Sequence, residues 1–435
     1  MSHSDSPPAP RLSSHFLSRR PSPIRQAQIR FARRADRGQV RVVNVAIGDV
    51  TRPMHPARQR RMARLERPGS PFADGVIGYG PTVGTDEARA AFLNVIGASG
   101  CRTDGLHALV TDGASQAMEL MLLGVCGPAA DEPVLLLDPS YTNYRDLAKR
   151  LAVRSVSLRR SLSADGAFAP PEVERLAAIV REERPRALVI LPADNPTGQL
   201  VSQETIRDYA RVCVEHGMWL VGDEAYRELH FTGGPAPSIW RLDEREVPGI
   251  RGRRIGIESA SKVFNACGLR VGALVTDHEE LHARAVAEAT ATLCANMLGQ
   301  YVFGALAYVP HEELAQWFDA QRRAYASVTR AVVEGLEEAM PGVVVTRPEA
   351  SLYAVVDVRE LVDGSFRAAD FVTYCAEHGR VDVDGVDHTL LVAPMDGFYP
   401  DGDDAGRTQM RLALVAGEAD LANVPRLLST DRKSV

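Results

Sequence analysis

Lysine is nearly absent from this chain. Of its 435 residues, 50 are Lys or Arg, and only Lys149, Lys262 and Lys433 are lysine. Arginine stays protonated and cannot serve as an amine nucleophile, so a chain this poor in lysine keeps it where an amine is required. Cysteine is scarce too. Residues 101, 126, 213, 267, 294 and 375 are scattered, with no CxxC pair and no Cys/His cluster. That spacing argues against a disulfide frame or a zinc site and fits reduced thiols in a cytoplasmic protein. No apolar run approaches the ~20 residues that span a bilayer, and no repeat appears at the ~20–50-residue period of solenoids. The net charge of −6 gives no electrostatic case for nucleic acid or an anionic membrane as partner.

What remains is a globular composition, 45% hydrophobic and 24% charged. The length exceeds one ordinary domain, so two domains or one large α/β unit with a satellite are expected. Residues 1–40 stand apart, with eight arginines against Asp5 and Asp36 and many Ser and Pro. Such a composition can mark a transit peptide, but Pro21 and Pro23 interrupt the apolar face a targeting helix needs. The segment reads instead as a basic, flexible arm that orders only where it touches the body or a second subunit.

From residue 42 onward, short apolar runs alternate with helical patterns. Strands are expected at 42–47, 108–111, 134–137, 187–191, 219–221, 255–257 and 272–275, with helices such as 172–181 and 204–215 between several of them. Strands alternating with helices imply βαβ units and a mainly parallel sheet whose strands are apolar on both faces. Beyond 275 the text turns helical, at 279–293 and 312–340. It then returns to strands at 343–346, 352–356, 389–393 and 410–414. The expected division is an arm (1–40), a large α/β domain (76–309) and a smaller α+β domain (41–75 with 310–435).

Ligands of open α/β sheets bind beyond the carboxyl ends of the strands, and the polar residues here fall at those ends. Asp112-Gly113-Ala114-Ser115 follows one strand and opens a helix, whose free N–H groups suit a phosphate. Asp138-Pro139-Ser140-Tyr141, Asn195-Pro196-Thr197-Gly198 and Asp223-Glu224-Ala225-Tyr226 follow three others. Each is ordinary alone: a glycine turn, an aromatic that packs, an Asn-Pro turn, a carboxylate at a strand end. The last stretch is Ser259-Ala260-Ser261-Lys262, followed by Gly268-Leu269-Arg270-Val271-Gly272.

In this order the set resembles the fold-type I, pyridoxal-phosphate-dependent aminotransferases of class I/II, from about residue 42 to 417. The resemblance implies a mainly parallel central sheet covered by helices, with a smaller α+β domain and pyridoxal 5′-phosphate as cofactor. It assigns Lys262 as the Schiff-base lysine that also shuttles the proton, and Asp223 as partner of the pyridine nitrogen. Asn195 and Tyr226 would meet the ring's phenolic oxygen, and Tyr141 would stack on the ring. Ser259, Arg270 and the backbone of Ala114 and Ser115 would hold the phosphate. Arg411 would grip the substrate carboxylate, with Asn195 and the backbone of Gly48 beside it. Tyr79 matches a tyrosine that reaches the neighbouring subunit's phosphate, which implies a homodimer with shared sites.

Ile47-Gly48-Asp49-Val50-Thr51-Arg52-Pro53 and Gly78-Tyr79-Gly80-Pro81 also look like LL-diaminopimelate aminotransferase. Thr82-Val83 departs from that subgroup, which has there a glutamate that reads the distal ammonium of its substrate. The expected activity is therefore transfer of an amino group between an L-amino acid and a 2-oxo acid of unassigned side chain. The same scaffold also supports elimination or replacement, amino-acid oxidation and carbon–carbon bond formation, and fold does not choose between them. A ligand-binding regulator fused to a winged-helix reader is not expected, because the arm of about 40 residues is short and rich in proline for such a reader.

Overall fold

The computed structural model describes residues 11–431; residues 1–10 of the arm, and Lys433, lie outside the described residues. The arm enters as two helices, α1 (Ser14–Ser18) and α2 (Pro23–Arg33). Pro23 is the first residue of α2 rather than a break in a helical face, and Ser22 caps the helix by accepting from the Arg25 N–H. Proline suits that position because its fixed φ matches the first turn and its missing N–H would be unbonded there anyway. Ala27 is buried, and Ile24 and Phe31 on the same face of α2 pack against the core formed by the C-terminal third of the chain. Arg34 Nη1 donates to the Gly379 carbonyl (2.8 Å) and Arg30 pairs with Glu377. Arg19 reaches Asp146 (3.4 Å), which lies on a different element.

After β1 (Arg41–Asn44) come α3 (Pro56–Met62), α4 (Asp86–Ala98), β2 (His107–Thr111), α5 (Ala114–Val125) and β3 (Val134–Asp138). These are followed by α6 (Thr142–Arg150), β4 (Ser155–Arg159), β5 (Ala187–Ile190), β6 (Trp219–Asp223), β7 (Arg254–Ser259) and β8 (Gly272–Thr276). Seven of these strands form one sheet in the order β2-β8-β7-β6-β5-β3-β4, and only β8 runs against its neighbours. Alternate residues of its central strands feed two cores. Leu135, Leu137, Leu188 and Ile190 face one, while Val134, Leu136, Ala187 and Val189 face the other. That is the arrangement of a sheet covered on both faces, and it explains why these strands read as unbroken apolar runs.

The remaining strands are β9 (Val344–Val345), β10 (Tyr353–Asp357), β11 (Val381–Val383), β12 (Val386–Leu391), β13 (Ala393–Pro394) and β14 (Gln409–Ala413). They form two small sheets, β1-β12-β11 and β13-β14-β10-β9. The expected strand at 42–47 is thus β1, which joins the smaller unit by pairing parallel with β12. The helix His311–Ala339 links the units: its early residues Leu314, Phe318 and Tyr325 enter the large core, and Val332, Val333 and Leu336 enter the small one. No helix among the described residues is long and apolar enough to cross a membrane.

Candidate active site

Three of the strand ends that carried the sequence motifs border one cavity of about 310 Å³. Tyr141, Tyr226 and Lys262 line it from the ends of β3, β6 and β7. Gly48, Tyr353, Phe398 and Arg411 line it from the smaller unit, and Ser22, Ile24, Arg25 and Gln28 from the arm. No Asp or Glu is among its lining residues. Lys262 Nζ donates to the Gly48 carbonyl (2.5 Å) and lies 3.8 Å from Cys267 Sγ.

Arg411 is 4% exposed, and no carboxylate among the described residues pairs with it. Its Nη1 donates to Asn195 Oδ1 (3.1 Å), its Nη2 to the Ala46 carbonyl (2.6 Å), and its Nε finds no acceptor. Aromatic faces flank the guanidinium, with Tyr353 at 4.5 Å and Phe398 at 5.1 Å from its carbon. A buried cation without a counter-ion is costly, and aromatic rings offset only part of that cost. Arg411 is therefore set up for an anionic ligand.

Asn195 spends its oxygen on Arg411, which turns its amide nitrogen toward Tyr226 Oη (3.5 Å). The hydroxyls of Tyr226 and Tyr353 are joined by a hydrogen bond of 2.9 Å. Gly48 sits directly under the Tyr353 hydroxyl, where any Cβ would collide with it.

Asp223, at the end of β6, is buried and accepts from the Ala225 N–H (3.1 Å) and the Tyr144 hydroxyl (3.2 Å). Burial pushes its carboxyl up to about 6, and no cation among the described residues pairs with it to favour the charged form. A cation supplied by a ligand would restore the ordinary value.

A third cluster gathers groups that suit an anion. Helix α5 opens at Gly113 (φ +75°) with no side-chain cap, so the N–H groups of its first turn, including those of Ala114 and Ser115, are free at the positive end of the helix dipole. The Arg270 guanidinium lies so close over Gly113 that a Cβ there would overlap it. No carboxylate among the described residues pairs with Arg270. Ser259, buried at the end of β7, accepts from the Ser261 N–H (3.1 Å).

Lys262, Gly48, Tyr141, Tyr226 and Arg411 thus share one cavity, and Asn195 joins them through Arg411 and Tyr226. Asp223, Ala114, Ser115, Ser259 and Arg270 lie at neighbouring strand ends. Tyr79 does not join them within this chain: it is 84% exposed, in a loop that also exposes Val76 and Ile77. Sequence reasoning missed Tyr353, Tyr144, Phe398 and Arg25. Only Tyr144 carried a local signal, as a second aromatic one helical turn after Tyr141.

The fold and these residues define a fold-type I pyridoxal-phosphate-dependent transferase: an amine, an uncapped helix N-terminus with an arginine, and a buried carboxylate without a cation suit that cofactor's aldehyde, phosphate and ring nitrogen. The sequence profile of "Aminotransferase class I and II" matches residues 44–389. A 2-aminoadipate transaminase of Thermus thermophilus is 30% identical over 302 residues, 67% of this chain and 69% of that protein. An aspartate/prephenate aminotransferase of Thermus thermophilus is 26% identical over 356 residues, 80% and 86% of the two chains. Among solved structures, N-succinyldiaminopimelate aminotransferase from Mycobacterium tuberculosis matches with a TM-score of 0.79 at 23% identity, covering 97% of this chain and all of that one. The chain belongs to the class I and II aminotransferases. It is a pyridoxal-phosphate-dependent enzyme that transfers an amino group between amino and 2-oxo acids.

Proposed function

We propose that this aminotransferase acts on L-amino acids with a carboxylate side chain, and that its parts divide the work as follows. The bound cofactor supplies an aldehyde that condenses with amines and a ring that draws electrons from the substrate's Cα. Lys262 would hold the cofactor, and its amine would carry the proton taken from the substrate's Cα. Asp223 accepts a hydrogen bond from the ring nitrogen and keeps it protonated. Tyr226 and Asn195 meet the phenolic oxygen, and Tyr141 covers the ring. Ala114, Ser115, Ser259 and Arg270 hold the phosphate. Arg411 receives the α-carboxylate, with Asn195 and the Gly48 backbone alongside. The observation that carries this reading is Arg411 itself, a buried guanidinium with no carboxylate partner in the cavity that Lys262 lines.

The side-chain assignment rests on the arm. Arg25 borders the same cavity, and its Nη1 reaches only Gln28 Oε1 (2.9 Å). With Arg411 given to the α-carboxylate, Arg25 remains for a second one, and no Asp or Glu lines the cavity to welcome a distal ammonium. Similar proteins are named for 2-aminoadipate and for aspartate, both dicarboxylic. The same features weigh against diaminopimelate.

The proposal includes a homodimer in which Tyr79 completes the neighbouring subunit's phosphate site; its support is an exposed loop of Val76, Ile77 and Tyr79. It keeps the division into an arm (1–40), a large domain (76–309) and a small domain (41–75 with 310–435), on the ground that one apolar cluster is built mainly from residues 88–309 and another mainly from the C-terminal third, although Leu314, Phe318, Tyr353 and Ala413 join the first across that boundary. It puts the enzyme in the cytoplasm, because its cysteines are scattered along the chain with no CxxC pair and no Cys/His cluster.

The test is to supply the holoenzyme with glutamate, 2-aminoadipate, aspartate, leucine, lysine and diaminopimelate in turn, each with a 2-oxo acid acceptor, and to analyse products by mass. Dicarboxylic donors should give their 2-oxo acids with the highest kcat/KM. A preference for lysine or diaminopimelate would overturn the substrate assignment. An eliminated fragment, peroxide or a carbon–carbon product would show that the scaffold runs another reaction.

A further inference from the structure

Tyr353 lies outside every motif that the sequence offers, yet it touches three parts of the site. Its hydroxyl is 2.9 Å from Tyr226 Oη, its ring lies 4.5 Å from the Arg411 guanidinium carbon, and its hydroxyl occupies the space above Gly48 that a side chain would need. It is 3% exposed and stands at the start of β10, whose ladder with β14 pairs Val355 with Arg411. Two neighbouring backbone strands thus fix its ring beside the Arg411 guanidinium.

Each tyrosine hydroxyl has one hydrogen to give and an oxygen that accepts. Tyr226 Oη already faces the Asn195 amide nitrogen, a donor, at 3.5 Å. If Tyr226 turns its own hydrogen toward the cavity, the 2.9 Å contact is filled by the Tyr353 hydrogen. A hydroxyl that accepts a hydrogen bond becomes a stronger donor itself, because such bonds polarise one another in a buried chain.

We infer that Tyr353 is a positioning residue with two separable duties: its hydroxyl strengthens Tyr226 as a donor toward the cofactor's phenolic oxygen, and its ring holds Arg411 in place for the substrate carboxylate. This rests on the roles proposed above for Lys262, Tyr226 and Arg411. The first duty predicts how the cofactor titrates. A weaker Tyr226 donor stabilises the anionic phenolic oxygen less, so the nitrogen joining cofactor and Lys262 keeps its proton to higher pH.

Two variants separate the duties. Tyr353→Phe keeps the ring and removes only the hydroxyl. In the holoenzyme, the pH midpoint of the visible cofactor absorbance should rise by about half a unit, as for loss of one ordinary hydrogen bond. The amino-acid KM should stay within about twofold, since the cation–π contact remains. Tyr353→Leu removes the ring as well, and the KM should rise about fivefold or more. An unchanged midpoint in Tyr353→Phe would overturn the first duty. An equal rise of KM in the two variants would overturn the second. If Tyr353→Leu fails to fold, the midpoint and KM of Tyr353→Phe still decide. Failure of the underlying reading is distinguishable, because the wild-type holoenzyme would then have no titrating absorbance.

Discussion

Arg227 and Arg411 are both buried guanidinium groups, 3% and 4% exposed. Behind the sheet, Arg227 Nη1 and Nη2 donate to both oxygens of Glu258 (2.7 and 3.1 Å), and Glu224 lies at 3.5 Å. Burial alone would weaken its hold on the proton, but the two carboxylates outweigh burial and keep it firmly charged. Arg411 has amide, carbonyl and aromatic neighbours and no carboxylate. The contrast separates a charge that the fold satisfies from one that the fold leaves for a ligand. Compensated pairs are strongly destabilising to break; an uncompensated cation in a cavity costs stability and gains affinity for an anion.

That difference can be broken from either side. Glu258→Ala leaves Arg227 with Glu224 alone at 3.5 Å and without the two hydrogen bonds it donates to Glu258, and should cost about 3 kcal/mol of folding stability by denaturant titration. Loss of substrate affinity without loss of stability would invert the comparison. Arg411→Ala should do the reverse, lowering kcat/KM for a dicarboxylic amino acid by about 2–5 kcal/mol of transition-state binding, roughly 30-fold or more. Its melting temperature should hold or rise, and a large fall would make Arg411 structural.

Asp223 sharpens the same point with the opposite charge. Its folded-state value of about 6 lies above that of an unfolded aspartate. Its contribution to stability is therefore full below the unfolded value and lost as pH rises through about 6. Relative to Asp223→Asn, the apoprotein should lose about 2–3 kcal/mol between pH 4 and 7. Adding cofactor should reverse that trend by giving the carboxylate a cation. Stability that tracks the variant at every pH would mean that Asp223 is compensated within the protein. The smallest effect is at Arg25. Arg25→Gln should raise the KM for 2-aminoadipate about tenfold and leave that for leucine nearly unchanged. An equal change for both would make it a general wall residue.

Much of this site was legible because α/β sheets gather polar residues at strand ends. Asn195, Asp223, Ser259 and Lys262 stand at strand ends that the sequence marks, but each is ordinary alone, and their roles could be read only from the family resemblance that their order carries. Tyr353 could not, because nothing beside it in sequence distinguishes it from an aromatic that merely packs. Its importance comes from strand pairing that sets it against Arg411 and Tyr226. Arg25 was hidden by the same arm that made residues 1–40 look flexible: Pro23 reads as a helix breaker until it is seen to start α2. The short strands β4 and β11 also escaped notice. One alternates small polar and apolar residues at a sheet edge, and the other is three residues long.

The scarcity of lysine makes the central claim simple to test. The holoenzyme should be reduced with borohydride, digested, and searched by mass spectrometry for the peptide that carries the cofactor's added mass. That mass is expected on Lys262 alone. Finding it on Lys149 or Lys433, or on no lysine, would contradict the claim.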